Sequence, residues 1–214
     1  TQAQRLGAEL ITASEATGVR LEGSTKIVTL DDGSEIATRS LVVATGMTVR
    51  RLAVPGYERY EGAGVYYGAA ASEVATYRDE DVFVVGGANS AGQAAMMFSK
   101  HCRHVTLVVR GPDLGARMSQ YLIDQIAATA KLEVLLETRI AEVGGGDRVE
   151  WITLRNTADD SEERREASGI FVFVGAVPHT EAVAGVVERN PQGFILTGPD
   201  LAAGTARWEL TRDP

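Results

Sequence analysis

The chain has 214 residues, of which 44% are hydrophobic and 23% are charged, which allows a packed core in one large or two small domains. A formal net charge of -8 argues against nucleic-acid binding through backbone phosphates. No apolar run reaches the ~18 residues that a membrane-spanning helix needs, so no membrane partner is expected. The single cysteine, Cys102, excludes a disulfide framework, a Cys-x-x-Cys pair or a zinc cluster made by this sequence alone.

The first part of the chain predicts short strands. Residues 26–38 alternate around Asp-Asp-Gly-Ser, which is typical of a β-hairpin. Residues 41–44 form a continuous apolar run and are predicted to be a buried strand. Residues 61–64, Glu-Gly-Ala-Gly, are glycine-rich and are predicted to link two structural units.

The middle of the chain alternates between apolar runs and helical periodicity. This order predicts an α/β domain with a three-stranded parallel sheet and right-handed crossovers. The predicted strands are 82–85, 105–109 and 132–136, and the predicted helices are 91–102 and 117–129. Three short segments then predict an antiparallel β-meander, and residues 170–174 predict one more buried strand.

A glycine-rich turn carries the clearest signal for chemistry. Residues 82–92 read Val-Phe-Val-Val-Gly-Gly-Ala-Asn-Ser-Ala-Gly, a strand followed by a turn and a helix start. Such a turn presents backbone amides and the helix dipole to a dinucleotide pyrophosphate, although it could instead be a packing turn without a ligand. The candidate cofactor-binding residues here are Gly86, Gly87, Ala88, Asn89, Ser90 and Ala91.

Each position in this turn has a predicted role. Gly86 permits the sharp turn, and Ala91 lets the helix pack closely on the strand. Asn89 and Ser90 are predicted to cap the helix. Ala88 stands where glycine is usual, so its methyl group would displace the pyrophosphate or narrow the choice of ligand.

Arginines follow the second predicted strand, where the ribose of a dinucleotide is recognised. An acidic residue there would bind the 2′-hydroxyl of NAD, whereas an arginine pairs with the 2′-phosphate of NADP. Arg110 therefore indicates NADPH, with Arg117 as a second partner at the start of the next helix. Asp113 would repel that phosphate if it points inward. Both arginines could instead be ordinary surface residues.

Several motifs, in order, resemble one family of flavoproteins. Residues 41–46, Leu-Val-Val-Ala-Thr-Gly, and residues 173–180, Phe-Val-Gly-Ala-Val-Pro-His-Thr, resemble the entry to and exit from the nucleotide domain of thioredoxin-reductase-like FAD/NAD(P)-dependent oxidoreductases, the low-molecular-weight pyridine nucleotide-disulfide type. The resemblance implies further cofactor contacts at Ala44, Thr45, Gly46 and Gly175. It implies a Rossmann-like NAD(P)H-binding domain over residues 64–175, inserted between incomplete FAD-domain segments at 1–63 and 176–214.

The resemblance implies a part of an FAD-dependent NADPH oxidoreductase, with hydride transfer from NADPH to flavin, a cytoplasmic location and a possible homodimer. The family's FAD motifs are expected outside residues 1–214, so we expect this chain alone to lose FAD and to be inactive. Gly-Ala-Ala-Ala occupies residues 68–71, where the family's reductases carry Cys-x-x-Cys. Dithiol chemistry is thus excluded here, and the electron acceptor stays open. The alternative is a non-catalytic nucleotide-binding or redox-sensing regulatory module.

Four other side chains are candidates for reactivity or metal binding. Cys102 lies between His101 and Arg103, which could lower its pKa, but a buried structural cysteine is the favoured interpretation. His101, Cys102 and His104 are too close in sequence for good metal-ligand geometry, so no metal is predicted. His179, in the exit motif, could approach the cofactors or be an ordinary loop residue.

Overall fold

The computed structural model describes residues 1–68 and 71–201. The chain separates into two compact units. The larger is Val49–Gly175, and the other comprises Thr1–Thr48 with the described residues that follow Gly175. The larger unit thus begins before the predicted boundary at residue 64, because Leu52, Val54 and Tyr60 belong to its core.

The helices and strands are numbered in chain order. They are α1 Gln2–Arg5, β1 Ala16–Glu22, β2 Thr25–Leu30, β3 Glu35–Thr38, β4 Met47–Val49, β5 Val65–Tyr67, α2 Ala71–Thr76, β6 Asp81–Val85, α3 Asn89–Ser99, β7 His104–Val108, α4 Gln120–Ala127, β8 Leu132–Leu135, β9 Thr138–Gly145, β10 Val149–Asn156, β11 Glu162–Glu166, β12 Gly169–Val172 and β13 Ala176–Pro178. Short 3-10 turns lie at Tyr57–Tyr60, Glu181–Val183 and Gly198–Asp200.

A parallel five-stranded sheet forms the centre of the larger unit. Its strand order is β5-β12-β6-β7-β8, and all four strand pairs are parallel. The sequence predicted β6, β7 and β8 as one sheet. It also predicted a strand at residues 170–174 but did not assign it a place in the sheet. The prediction of a three-stranded sheet was therefore wrong. It missed β5, whose partner among the described strands is the distant β12.

Alternate residues of each central strand face opposite sides of this sheet. On β6, Val82 and Val84 pack with the buried faces of α3 and α4, whereas Phe83 and Val85 pack with the antiparallel meander β9–β11. Both faces of the sheet are therefore covered, as a parallel sheet requires. This is why the strands read as continuous apolar runs and were predicted correctly.

Residues 61–64 lie inside the larger unit and do not link two units. Gly64 is buried, and a side chain there would come within 2.7 Å of Val149 on β10. Its carbonyl accepts a hydrogen bond from the amide of Ile170, at 2.7 Å. Gly64 allows the chain to pass close to β10 of the meander. Close packing therefore explains the glycine at this position.

In the smaller unit the predicted hairpin is present, but the predicted buried strand at residues 41–44 is not. β1, β2 and β3 form an antiparallel sheet, with the turn at residues 31–34 as expected. Residues 41–44 are an exposed coil rather than a buried strand, with Val42 88% exposed. No described strand pairs with this run, and apolar composition alone cannot supply that partner. Within the described residues, no helix is long and apolar enough to span a membrane.

Candidate functional site

The predicted glycine turn connects β6 to α3 with very little free space. Gly86 has φ of +146°, a backbone conformation that glycine adopts far more readily than other residues. Its amide donates to the carbonyl of Val108, at 3.0 Å. A Cβ atom on Gly86 would lie 2.5 Å from the carbonyl oxygen of Phe173, and one on Gly87 would lie 3.0 Å from Val109. The turn is thus held between the ends of β7 and β12.

The amino terminus of α3 leaves its backbone amides open. Ala88 is the N-cap, with extended backbone, and no side chain caps the helix. The first amide with an acceptor among the described residues is that of Gly92, 3.1 Å from the carbonyl of Ala88. The prediction that Asn89 and Ser90 cap this helix was therefore wrong. The amides before Gly92, with the helix dipole, are available to an anion.

Small residues bring α3 close to its neighbours. Ala91 is fully buried, and its Cβ would be 3.0 Å from a Cβ on Gly86, as the close-packing role requires. Gly92 was not singled out from the sequence, yet a Cβ there would lie 2.6 Å from Leu122 and 2.9 Å from Met118. A glycine inside a helix is itself a signal of such close approach.

Asn89 connects the starts of α3 and α4. Its Oδ1 accepts a hydrogen bond from the backbone amide of Ser119, at 2.8 Å. Ser119 is the N-cap of α4, and its own side chain makes no capping hydrogen bond. The Asn89 side chain therefore caps the neighbouring helix rather than its own.

Arg110 and Arg117 lie on the loop between β7 and α4. Both side chains are exposed, and neither makes a hydrogen bond or ion pair with a described residue. Arg117 precedes α4, which begins later than predicted, so it does not lie at a helix start. The carboxylate of Asp113 accepts a hydrogen bond from the amide of Ala116, at 3.0 Å, so Asp113 is bound within the loop. Two cationic side chains thus remain open to an anionic ligand.

Gly175 follows the end of β12, next to the glycine turn in the sheet order. β7 and β8 lie on one side of β6, whereas β12 and β5 lie on the other. The crevice at such a reversal of strand order is where open α/β sheets bind ligands. Gly175 has φ of +88°, and its carbonyl accepts from the amide of Arg50, at 3.0 Å.

Ala44, Thr45 and Gly46 lie in the smaller unit, in exposed coil. The Thr45 hydroxyl donates to the carbonyl of His179, and the amide of His179 donates to the carbonyl of Gly46, at 3.1 Å. The His179 ring lies 2.7 Å from the Thr48 hydroxyl and 3.2 Å from the Thr45 carbonyl. The amides of residues 44–46 have no acceptor in the described part of the chain, so this backbone is available to donate to a bound group.

Cys102 is unsuited to redox chemistry. It is fully buried, and burial raises its pKa to about 11, so the lowering that its basic neighbours suggested does not occur. In the residues that the structure describes, no three His, Cys, Asp or Glu side chains form a group suited to a metal ion. Of residues 68–71, where the family's reductases carry Cys-x-x-Cys, Ala69 and Ala70 lie outside the described residues.

A cleft of about 540 Å³ lies away from the glycine turn, at the amino-terminal edge of the sheet. Several of its charged side chains already have partners. Asp81 accepts a hydrogen bond from Arg103, at 2.5 Å, and the Arg164 guanidinium lies 3.5 Å from the Trp151 ring centre. The open amides and unpaired arginines make the glycine turn the better candidate site.

The parallel five-stranded sheet, the glycine turn and the open helix terminus are features typical of dinucleotide-binding α/β folds. Residues 1–205 match the model of the pyridine nucleotide-disulphide oxidoreductase family, and the chain belongs to that family. The thioredoxin reductase of Mycolicibacterium smegmatis is 34% identical over 194 residues, which cover 91% of this chain and 61% of that protein.

Solved structures agree with this assignment. The thioredoxin reductase from Giardia duodenalis matches with a TM-score of 0.78 and 25% identity, over 90% of this chain and 62% of that one. The enzyme from Streptococcus pyogenes matches with a TM-score of 0.72 and 28% identity, over 92% and 63%. This chain is thus similar to thioredoxin reductases, and it spans less than two thirds of the length of these relatives.

Proposed function

We propose that this chain is part of a flavin-dependent oxidoreductase whose Val49–Gly175 unit binds NADPH, the hydride donor for a flavin bound with the help of residues 44–46. The family membership supports an oxidoreductase of the thioredoxin reductase type. The particular cofactor, the flavin contacts and the activity of the whole protein are proposals that go beyond it.

The observation that carries the proposal is the set of open amides at Gly87–Ala91. Glycine at 86 and 87 keeps side chains away from the turn, where a Cβ atom would collide with the ends of neighbouring strands. The amides have no acceptor among the described residues, so they can donate to pyrophosphate oxygens without breaking an existing bond. Ala88 adds one methyl group beside them, which limits how closely the phosphates approach.

The two exposed arginines support NADPH over NADH. Among the described residues, their guanidinium groups have no carboxylate partner, and the nearby Asp113 is engaged within its own loop. Arginine pairs well with a phosphate because its planar donors match the phosphate oxygens. We therefore assign recognition of the 2′-phosphate to Arg110, with Arg117 as a second contact.

The electron acceptor differs from that of a dithiol reductase. Reduction of a disulfide by thiol exchange needs an attacking thiolate and a second thiol to resolve the mixed disulfide. The sequence contains one cysteine, which is buried and has a raised pKa. We therefore propose an acceptor that does not receive electrons through a cysteine pair on this segment.

Calorimetric titration of the 214-residue chain with NADPH, and separately with NADH, tests the binding proposal. We expect saturable binding of NADPH and weaker binding of NADH. Binding of neither dinucleotide, by a chain whose circular dichroism shows it to be folded, would contradict the proposal.

Stopped-flow measurement on the full-length protein tests the redox proposal. We expect the visible absorbance of the flavin to be bleached when NADPH is mixed anaerobically with the protein, because the flavin accepts the hydride. Binding without bleaching would favour the alternative, a non-catalytic nucleotide-binding module, over the oxidoreductase.

A further inference from the structure

We infer that Asn89 is a specificity-determining positioning residue: by capping α4 it holds the end of the loop that carries Arg117 at a fixed place beside the glycine turn. This inference rests on the proposed function, because it concerns how the NADPH site distinguishes NADPH from NADH. It assigns the Asn89 side chain a role different from the predicted capping of α3.

The Asn89 carboxamide makes the one described side-chain hydrogen bond to the amino terminus of α4. Its oxygen accepts from the Ser119 amide at 2.8 Å, and Ser119 contributes no side-chain cap of its own. Both residues are exposed, so water competes for this contact when either partner is changed. The hydrogen bond thus determines a local geometry more than it contributes to global stability.

Packing beside this hydrogen bond leaves the two segments little freedom to separate. Met118 and Leu122 are both only 5% exposed, and both lie where a Cβ on Gly92 would collide with them. The Asn89 contact lies beside this packing of Met118 and Leu122 against α3, at the end nearest the open amides of the glycine turn. Loss of the Asn89 hydrogen bond therefore releases the end of the loop, while Met118 and Leu122 remain packed against α3.

The other end of the loop is held by backbone contacts. The Gly111 carbonyl accepts from the amide of Glu137, at 2.9 Å. Nearer to α4, the Leu114 carbonyl accepts from the amide of Met118, at 3.1 Å. The Asp113 side chain also binds within the loop, to Ala116. The loop therefore has a defined shape, and Asn89 sets the position of its last residues relative to the glycine turn.

The test compares Asn89→Ala with Gln93→Ala, which removes a carboxamide from an exposed position on the same helix that makes no described hydrogen bond. We expect Asn89→Ala to weaken NADPH binding about five- to tenfold, the loss of roughly one hydrogen bond, and NADH binding by less than about twofold. Gln93→Ala should leave both affinities and their ratio unchanged.

Hydrogen exchange gives a second readout that needs no ligand. The Ser119 amide should exchange faster in Asn89→Ala than in the unmodified chain. Asn89→Asp should restore its protection, because a carboxylate oxygen can accept the same hydrogen bond. Protection of the Ser119 amide that is unaltered in Asn89→Ala would overturn the inference.

The binding outcomes separate the two proposals. Equal weakening of NADPH and NADH binding in Asn89→Ala would show that Asn89 acts at the pyrophosphate, which overturns the specificity role but preserves the proposed function. An unchanged preference for NADPH would also overturn only the inference. Binding of neither dinucleotide by the unmodified chain would overturn both.

Discussion

A methyl group added at Gly86 would lie 2.5 Å from the carbonyl oxygen of Phe173, on a backbone with φ of +146°. Both the contact with rigid backbone and the dihedral angle are unfavourable, so Gly86→Ala should lower the free energy of unfolding by about 2 to 4 kcal/mol. It should also abolish dinucleotide binding. Urea denaturation and calorimetry measure the two effects.

Gly111→Ala is the matched control for Gly86→Ala. Its added Cβ would meet nothing closer than the carbonyl oxygen of Asp113, at 3.7 Å, and its φ is not in the left-handed region. The stability of Gly111→Ala should stay close to that of the unmodified chain. Equal stabilities of the two variants would show that the glycine turn can relax.

Arg110→Ala should reduce the preference for NADPH. Because a charge-assisted hydrogen bond contributes about 1.5 to 3 kcal/mol, the affinity for NADPH should fall about 10- to 100-fold, whereas that for NADH should hardly change. Parallel titrations with both dinucleotides measure this. Arg78→Ala, at an exposed arginine before β6, is the control and should change neither affinity. A similar loss for both dinucleotides would contradict the assignment to the 2′-phosphate.

At the scale of elements, an ion pair braces the beginnings of β6 and β7. Arg103 lies just before β7 and hydrogen-bonds to Asp81 on β6, which lowers the pKa of the Asp81 carboxyl. Because the Arg103 side chain is 65% exposed, solvent screening keeps the contribution of this pair small.

The lowered pKa of Asp81 predicts the pH dependence of that contribution. It is present above the unfolded-state pKa of about 3.9 and is lost as the pH falls through the lower folded-state pKa. Asp81→Asn should therefore be less stable than the unmodified chain at pH 7, and the difference should shrink below about pH 4. Denaturation across this range measures it; a difference that grows with acidity would contradict the prediction.

The elements that were predicted correctly are those whose signals are local. Strand β6, the glycine turn and α3 are contiguous, and their apolar residues meet a sheet covered on both faces. Strand β5 was missed because its partner β12 lies far along the chain. The side-chain cap was misassigned because the Ser119 amide reaches Asn89 only in the folded chain. Residues 41–44 were misjudged because burial depends on a neighbour that composition does not reveal.

At the scale of the molecule, the apolar core is unevenly distributed. Both large buried clusters lie entirely within Val49–Gly175. Among the described residues of the smaller unit, few large apolar side chains are buried, including Ile27, Val28 and Val183. The two units therefore differ in the burial that stabilises them.

This distribution predicts that unfolding is not a single two-state transition. Amides of β6, β7 and β12 should exchange with solvent orders of magnitude more slowly than those of β1–β3, because opening the larger unit exposes far more apolar surface. A chain limited to Val49–Gly175 should keep the melting temperature of the more stable transition within a few degrees (about 3 °C). One cooperative transition with uniform protection would contradict this prediction.

Cys102 has a practical consequence for such measurements. As the sequence's single thiol, fully inaccessible on the sheet's helical side and protonated at neutral pH, it can be alkylated only when the surrounding core opens. The rate at which Cys102 is alkylated therefore reports how often this core opens. The ratio of the alkylation rate in the folded chain to the rate in denaturant gives the equilibrium constant for opening. The native cysteine therefore reports local opening of the larger unit, and no engineered probe is needed.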